Sequence, residues 1–115
     1  MNYRYLRELN ELFRHSGDAP TLLCLSRAVA ASGGKPLPNR EVLRAILTQT
    51  GDYIAEGTVN RSLPRLVANH FVEVDHSDHR HPKYRPTPLG EKKARLVAFV
   101  LDALDHRDDD DHRDD

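Results

Sequence analysis

The stretch GTVNRSLPRLVANHFVEVD, residues 57–75, decides how the chain is read. Val59, Leu63, Leu66 and Val67 recur at spacings that place them on one side of a helix. FVEVD then alternates, with Phe71, Val72 and Val74 supplying the apolar content of a strand. Pro64 falls inside the helical pattern. A mid-helix proline removes a backbone donor, crowds the preceding turn and costs about 3 kcal/mol. Two placements accommodate it. A helix starting near Ser62 would put Pro64 in the first turn, where the missing donor does no harm, but would strip Val59 of its place in the core. A helix starting near Glu56 keeps Val59 inward and turns Pro64 outward or sideways, close to Asn60 and Arg61. The second placement is adopted.

Working outward, GTVN is preceded by DYIAE, a short turn, and by a helix from Asn39 to about Thr50. Asn39 is read as its cap, Val42, Leu43, Ile46 and Leu47 as its inner face, and Gly51 as its stop. KPLP before it reads as a stiff connector. TLLCLSRAVAA is apolar enough to be mostly buried, with Asp18 as its cap, Pro20 in its first turn and Ser32-Gly33-Gly34 at its end. Residues 2–15 form a further helix, with Tyr5, Leu6, Leu9, Leu12 and Phe13 on one side. Downstream, HSDHRHP is a hairpin tip and KYRPT a returning strand, which Pro86 assigns to an edge position. Pro88 opens a last helix to about Leu104, whose apolar residues cover more than one stripe. The expected fold is mainly α with a small antiparallel β-ribbon, an α+β winged helix-turn-helix with extra N- and C-terminal helices.

The chain has 115 residues, which fits one domain with a small core. Hydrophobic residues make up 38% and there is no Trp, so the core is aliphatic. A single cysteine excludes an intramolecular disulfide and, with no apolar run of membrane length and no secretory h-region, points to a cytoplasmic protein. Cys24 reads as core filler. The formal charge of −1 conceals an asymmetry: residues 105–115 carry seven Asp and two Arg, and the remainder is +4. Residues 1–104 are thus assigned to a mildly basic domain with terminal dimerisation helices, and 105–115 to a disordered acidic tail. The tail is readable as a solubilising appendage, a DNA mimic or a metal chelator; self-competition with DNA is the preferred functional version.

EGTVNRSLPRLVANHFVEVD followed by KYRPTPLGEKK resembles the PadR-like transcriptional regulators and, more loosely, other winged-helix repressors. The resemblance covers roughly residues 40–100. It implies that Gly57, Thr58 and Val59 open a recognition helix, that Leu63 and Leu66 pack it down, and that Tyr84, Arg85, Thr87 and Gly90 close the wing and start a dimer helix. Asn60 stands where the family commonly has an aromatic, Pro64 where a helix-friendly polar residue is usual, and Pro86 where an apolar strand residue is usual. LPNREV replaces the family's early His-Gly-Tyr type motif.

Arg61 and Arg65 are four apart and share a face, with Thr58 one turn earlier. Arg pairs bidentately with guanine and Asn with adenine, so Thr58, Asn60 and Arg61 are the candidates for base edges, and Arg65 for phosphate or base. Arg80, Lys83 and Arg85 on the hairpin are candidates for phosphate or minor-groove contact, with Asp75 and Asp78 weakening their field. His76, His79 and His81 in the same hairpin invite a pH response as a further reading; they lack the usual spacing of a metal site. Leu96, Val97, Val100, Leu101 and Leu104 are the candidates for dimerisation. No phosphate loop, zincin helix or nucleophile elbow is present, and the expectation is a non-enzyme with no cofactor and no metal. The expected partners are double-stranded DNA and a second copy of the chain, with no membrane and no effector assigned. A protein-interaction module with a DNA-mimicking tail is the alternative.

Overall fold

The computed structural model describes residues 12–51 and 53–113, with side chains beyond 103 outside the described set. The expected helix over 2–15 therefore lies largely outside the described residues; Leu12 and Phe13 are helical, Leu12 buried and Phe13 exposed. The element order is α1 (Asp18–Ala31), β1 (Leu37–Pro38), α2 (Asn39–Thr50), α3 (Glu56–Ala68), β2 (Val72–Asp75), β3 (Lys83–Pro86) and α4 (Pro88–Arg113). The three strands form one antiparallel sheet in the order β1-β3-β2. Three helices, a two-stranded hairpin and a short strand closing its inner edge make a winged helix-turn-helix.

α1 is the centre of the packing. Leu22, Leu23, Leu25 and Val29 are buried in one cluster with Val42 and Ile46 of α2, Val59, Leu63 and Leu66 of α3, and Ala94 and Val97 of α4. Each such aliphatic side chain contributes about 1.5–3 kcal/mol on burial. Cys24 belongs to this cluster, and burial pushes its thiol pKa up, with Arg27 opposing. α2 ends at Gly51, whose φ of 59° is the left-handed conformation that glycine adopts without strain; its N–H donates to the Leu47 carbonyl.

Five expectations are corrected. KPLP is not only a connector: Leu37 pairs with Tyr84 and Pro38 with Lys83. A two-residue strand has no periodicity to read. That pairing makes β3 the central strand, not an edge. Pro86 is tolerated because it lies past the Tyr84 end of the β1 ladder, opposite Val72 of β2. Asn39 is the first helical residue of α2 rather than its cap, which is Pro38 in extended conformation. Asp18 likewise lies inside α1, after Gly17, and makes no cap hydrogen bond. The last helix passes Leu104 and stays helical to Arg113. No Gly or Pro follows Gly90 to stop it.

The corner between α3 and β2 explains the Tyr-Arg-x-Thr-x-x-Gly motif. Asn69 ends α3, and His70 takes a positive φ of 64°. The Phe71 N–H returns to the Leu66 carbonyl and the His70 N–H to that of Val67. Thr87 then locks α4 onto this corner. Its hydroxyl donates to the His70 carbonyl at 2.6 Å and accepts from the Gly90 N–H at 3.0 Å, while its own N–H donates to the Phe71 carbonyl. Thr87 is thus the N-terminal cap of α4, and Pro88 occupies the first helical position.

Candidate nucleic-acid interface

α3 runs from Glu56, so Pro64 is inside the helix and exposed. Val59, Ser62, Leu63 and Leu66 form its buried side. Gly57, Asn60, Arg61, Pro64 and Ala68 are exposed and follow one another at helical spacing along the opposite side. Asn60 and Arg61 therefore share the outward face with Pro64. The Arg61 guanidinium lies over the first turn, 3.3 Å from where a Gly57 Cβ would stand.

Thr58 and Arg65 do not belong to that open face. Thr58 is half-buried and turned towards Gly17, where a Cβ would overlap its methyl and stand 2.9 Å from the Ser62 hydroxyl. Arg65 is engaged by Asp18, the first residue of α1. Arg65 Nε donates to both carboxylate oxygens at 3.2 Å, and Nη2 donates to Oδ1 at 2.8 Å. Nη2 also reaches Ser62 Oγ at 3.4 Å. This hydrogen bonding holds the Arg65 pKa above its ordinary value. Asp18 is 1% exposed, so the pair seals the α1–α3 contact.

The wing is built by the cross-strand register Val72–Pro86, Glu73–Arg85, Val74–Tyr84 and Asp75–Lys83. Val72 and Pro86 are buried, whereas Glu73, Arg85 and Asp75 are exposed. Arg85 Nε is hydrogen-bonded to Glu73, and Lys83 stands opposite Asp75. The tip is made of two aspartate-anchored turns: Asp75 accepts the Ser77 N–H and Asp78 the Arg80 N–H. The Ser77 backbone hydrogen bond lowers the Asp75 pKa, and its hydroxyl adds to this. These aspartates shape the tip as well as weakening its field. Three carboxylates and three cations between residues 73 and 85 leave the wing neutral when its histidines are neutral. Among the described residues no three His, Cys, Asp or Glu side chains converge on one point.

Two cations that the sequence reading passes over lie together on one face of α2. Arg40 and Arg44 are exposed on α2, four residues apart, and flank a shallow cleft with Leu43 and Leu47. The spacing rule that selected Arg61 and Arg65 would have found them.

The dimerisation candidates divide. Val97 is 2% exposed and belongs to the chain's own core, because α4 turns that stripe onto α1. Leu96 is half-buried, and Val100 and Leu101 are exposed. The Leu104 side chain lies outside the described residues. Phe99, absent from the candidates, is 70% exposed. Leu101 also lines an apolar cleft of about 320 Å³ with Phe13, Ala19, Pro20, Tyr53 and Ile54. No described helix is long and apolar enough to cross a membrane.

No family model matches the chain, and no curated protein is similar to it in sequence. Solved structures do share its fold. The transcription regulator MepR of the Staphylococcus aureus multidrug efflux pump MepA is 15% identical, with a TM-score of 0.60 over 93% of this chain and 82% of its own. F-93 of SSV1 is 10% identical, with a TM-score of 0.58 over 78% of this chain and 90% of its own. At these identities the likeness establishes the architecture alone: the chain has the winged helix-turn-helix fold that it shares with MepR and F-93.

Proposed function

We propose that this protein binds double-stranded DNA sequence-specifically, as a homodimeric transcriptional regulator acting as a repressor. The observation that carries the reading is the outward face of α3, where Asn60 and Arg61 are exposed while the opposite side is fully used by the core. An exposed helix of this diameter fits the major groove, and these two side chains have the donor geometry for adenine and guanine edges. Thr58 borders that face. Arg40 and Arg44 on α2, with Arg80, Lys83 and Arg85 on the wing, would meet phosphates. Residues 1–104 would form the DNA-binding unit and 105–115 an acidic appendage competing with DNA for the basic face. The PadR-like relationship is part of this proposal and is supported by the residue pattern alone.

Binding of mixed genomic duplexes across a salt series tests the reading. A steep loss of affinity with salt is expected, whereas no binding at low salt favours a protein-interaction module. With fragments selected from that pool, Arg61→Ala is expected to cost about 1–3 kcal/mol of discrimination at one base pair. Equal discrimination by the variant would remove Arg61 from the base-reading set.

The homodimer rests on the exposed apolar run Phe99, Val100 and Leu101, continued by Phe13 and Tyr53. Such side chains on one small domain are the usual mark of an interaction surface. Phe99→Asp and Leu101→Asp are expected to yield monomers with weakened operator binding. Sedimentation showing the unmodified protein as a monomer at micromolar concentration would reject this interface.

A further inference from the structure

Arg65 has one edge to spare. Its side-on edge, Nε and Nη2, is occupied by Asp18. Among the described residues Nη1 has no described hydrogen bond, and the side chain is 32% exposed. A guanidinium carries five donors in a rigid fork, so pairing through Nε and Nη2 leaves the two Nη1 hydrogens for another partner and fixes their direction. Asp18 is well suited to do the fixing. It is buried, and it begins α1, where the helix dipole favours a carboxylate. Ser62, 0% exposed, contacts the same Nη2. The missing Cβ at Gly17 lets α1 approach Thr58 and Ser62 of α3 closely at this point.

Arg65 also lies beside the exposed stripe rather than on it, one residue after Pro64 and one turn after Arg61. When a helix lies in the major groove, its central stripe meets base edges and its flanks meet the phosphate walls. We infer that Asp18 and Arg65 form a preset phosphate clamp, in which the buried carboxylate holds one edge of the guanidinium so that Nη1 donates to a backbone phosphate beside the groove. Asp18 is a positioning residue and Arg65 a phosphate ligand. The clamp rests on the DNA-binding reading and deepens it. It also orders Arg65 before DNA arrives, so little rotamer freedom is lost on binding.

The double variant Asp18→Asn, Arg65→Gln tests the clamp without changing net charge. It removes both members of the pair together, so no lone buried charge remains. Binding to a random-sequence duplex is measured between 50 and 200 mM salt. The slope of log affinity against log salt is expected to fall by about 0.9 per chain, the effect of one lost phosphate contact. A purely structural ion pair would change the melting temperature and leave the slope alone, and an unchanged slope overturns the clamp. Asp18→Asn, Arg65→Met provides the second variant. It keeps the net charge and an apolar stem of similar reach but has no donor, so the same fall in slope is expected, and a full slope in this variant equally overturns the proposal. If the unmodified protein shows salt-dependent binding and the variants match it, the clamp alone fails. If the unmodified protein does not bind duplex at low salt, the DNA-binding reading fails with it.

Discussion

Gly90→Ala is expected to destabilise the protein by about 3 kcal/mol, at the upper end of what overpacking usually costs. Gly90 sits in the first turn of α4, pressed against the backbone of Phe71. A Cβ there would overlap the Phe71 carbonyl oxygen and stand 2.8 Å from the carbonyl carbon. The obstacle is backbone, so no side-chain rotation relieves it. Neither neighbour is free to withdraw. The same Phe71 carbonyl accepts the Thr87 N–H, and the Gly90 N–H is held by the Thr87 hydroxyl. Relief would require α4 to lift off the α3–β2 corner, loosening Val97 and Ala94 in the core. In a domain of this size, such a loss lowers the melting temperature by roughly 10 °C or more. Gly17→Ala makes a useful comparison. The nearest obstacles to its Cβ are the Thr58 methyl and the Ser62 hydroxyl, which are side-chain atoms, so a smaller loss is expected there. Thermal melts of the two variants compare them directly. A Gly90→Ala protein melting within two or three degrees of the parent would show that the corner can shift, contrary to this account.

The parts of this fold that were legible in the sequence are those written in local chemistry. Apolar content marked α1, apolar spacing marked α2 and α3, and Gly51 marked the end of α2 where a left-handed residue was needed. Pro88 marked the start of α4, although its cap Thr87, tied to His70 and Phe71, became visible only in three dimensions. What was not legible depends on partners far away in the chain. Asp18 has the look of a helix cap, and Arg65 of a groove-facing cation. Nothing in either neighbourhood shows that they meet across the α1–α3 contact. Pro86 suggested an edge strand because a proline cannot donate to a ladder. The rule still holds at the level of the single residue, since β1 ends before Pro86. Val97 was grouped with the exposed apolar residues of α4 because a broad stripe does not reveal which part faces home. Charge on the wing could be counted from sequence. That Glu73 faces Arg85 and Asp75 faces Lys83 required the register.

Pro64→Ala is expected to raise stability by about 2–3 kcal/mol and to weaken discrimination between operator and random DNA. The helix runs unbroken from Glu56 to Ala68, so the proline carries an interior penalty of a missing N–H and a ring against the preceding turn. The carbonyl it leaves without an intrahelical partner belongs to Asn60, which is exposed, so water can satisfy it. The penalty is thereby reduced but not removed. A residue of this kind persists most readily where its effect on shape is of use. A proline bends the helix axis towards the side away from its ring, and the first two turns carry Asn60 and Arg61. Straightening them would re-aim both side chains while Val59, Leu63 and Leu66 keep their places in the core. The gain in stability and the loss in specificity should therefore appear together in one variant. Melting curves and competition binding on the same preparation separate the possibilities. A variant that melts lower would mean that the ring is favourably packed where it stands. A variant that melts higher and discriminates as well as the parent would leave the proline with a cost and no role in reading DNA.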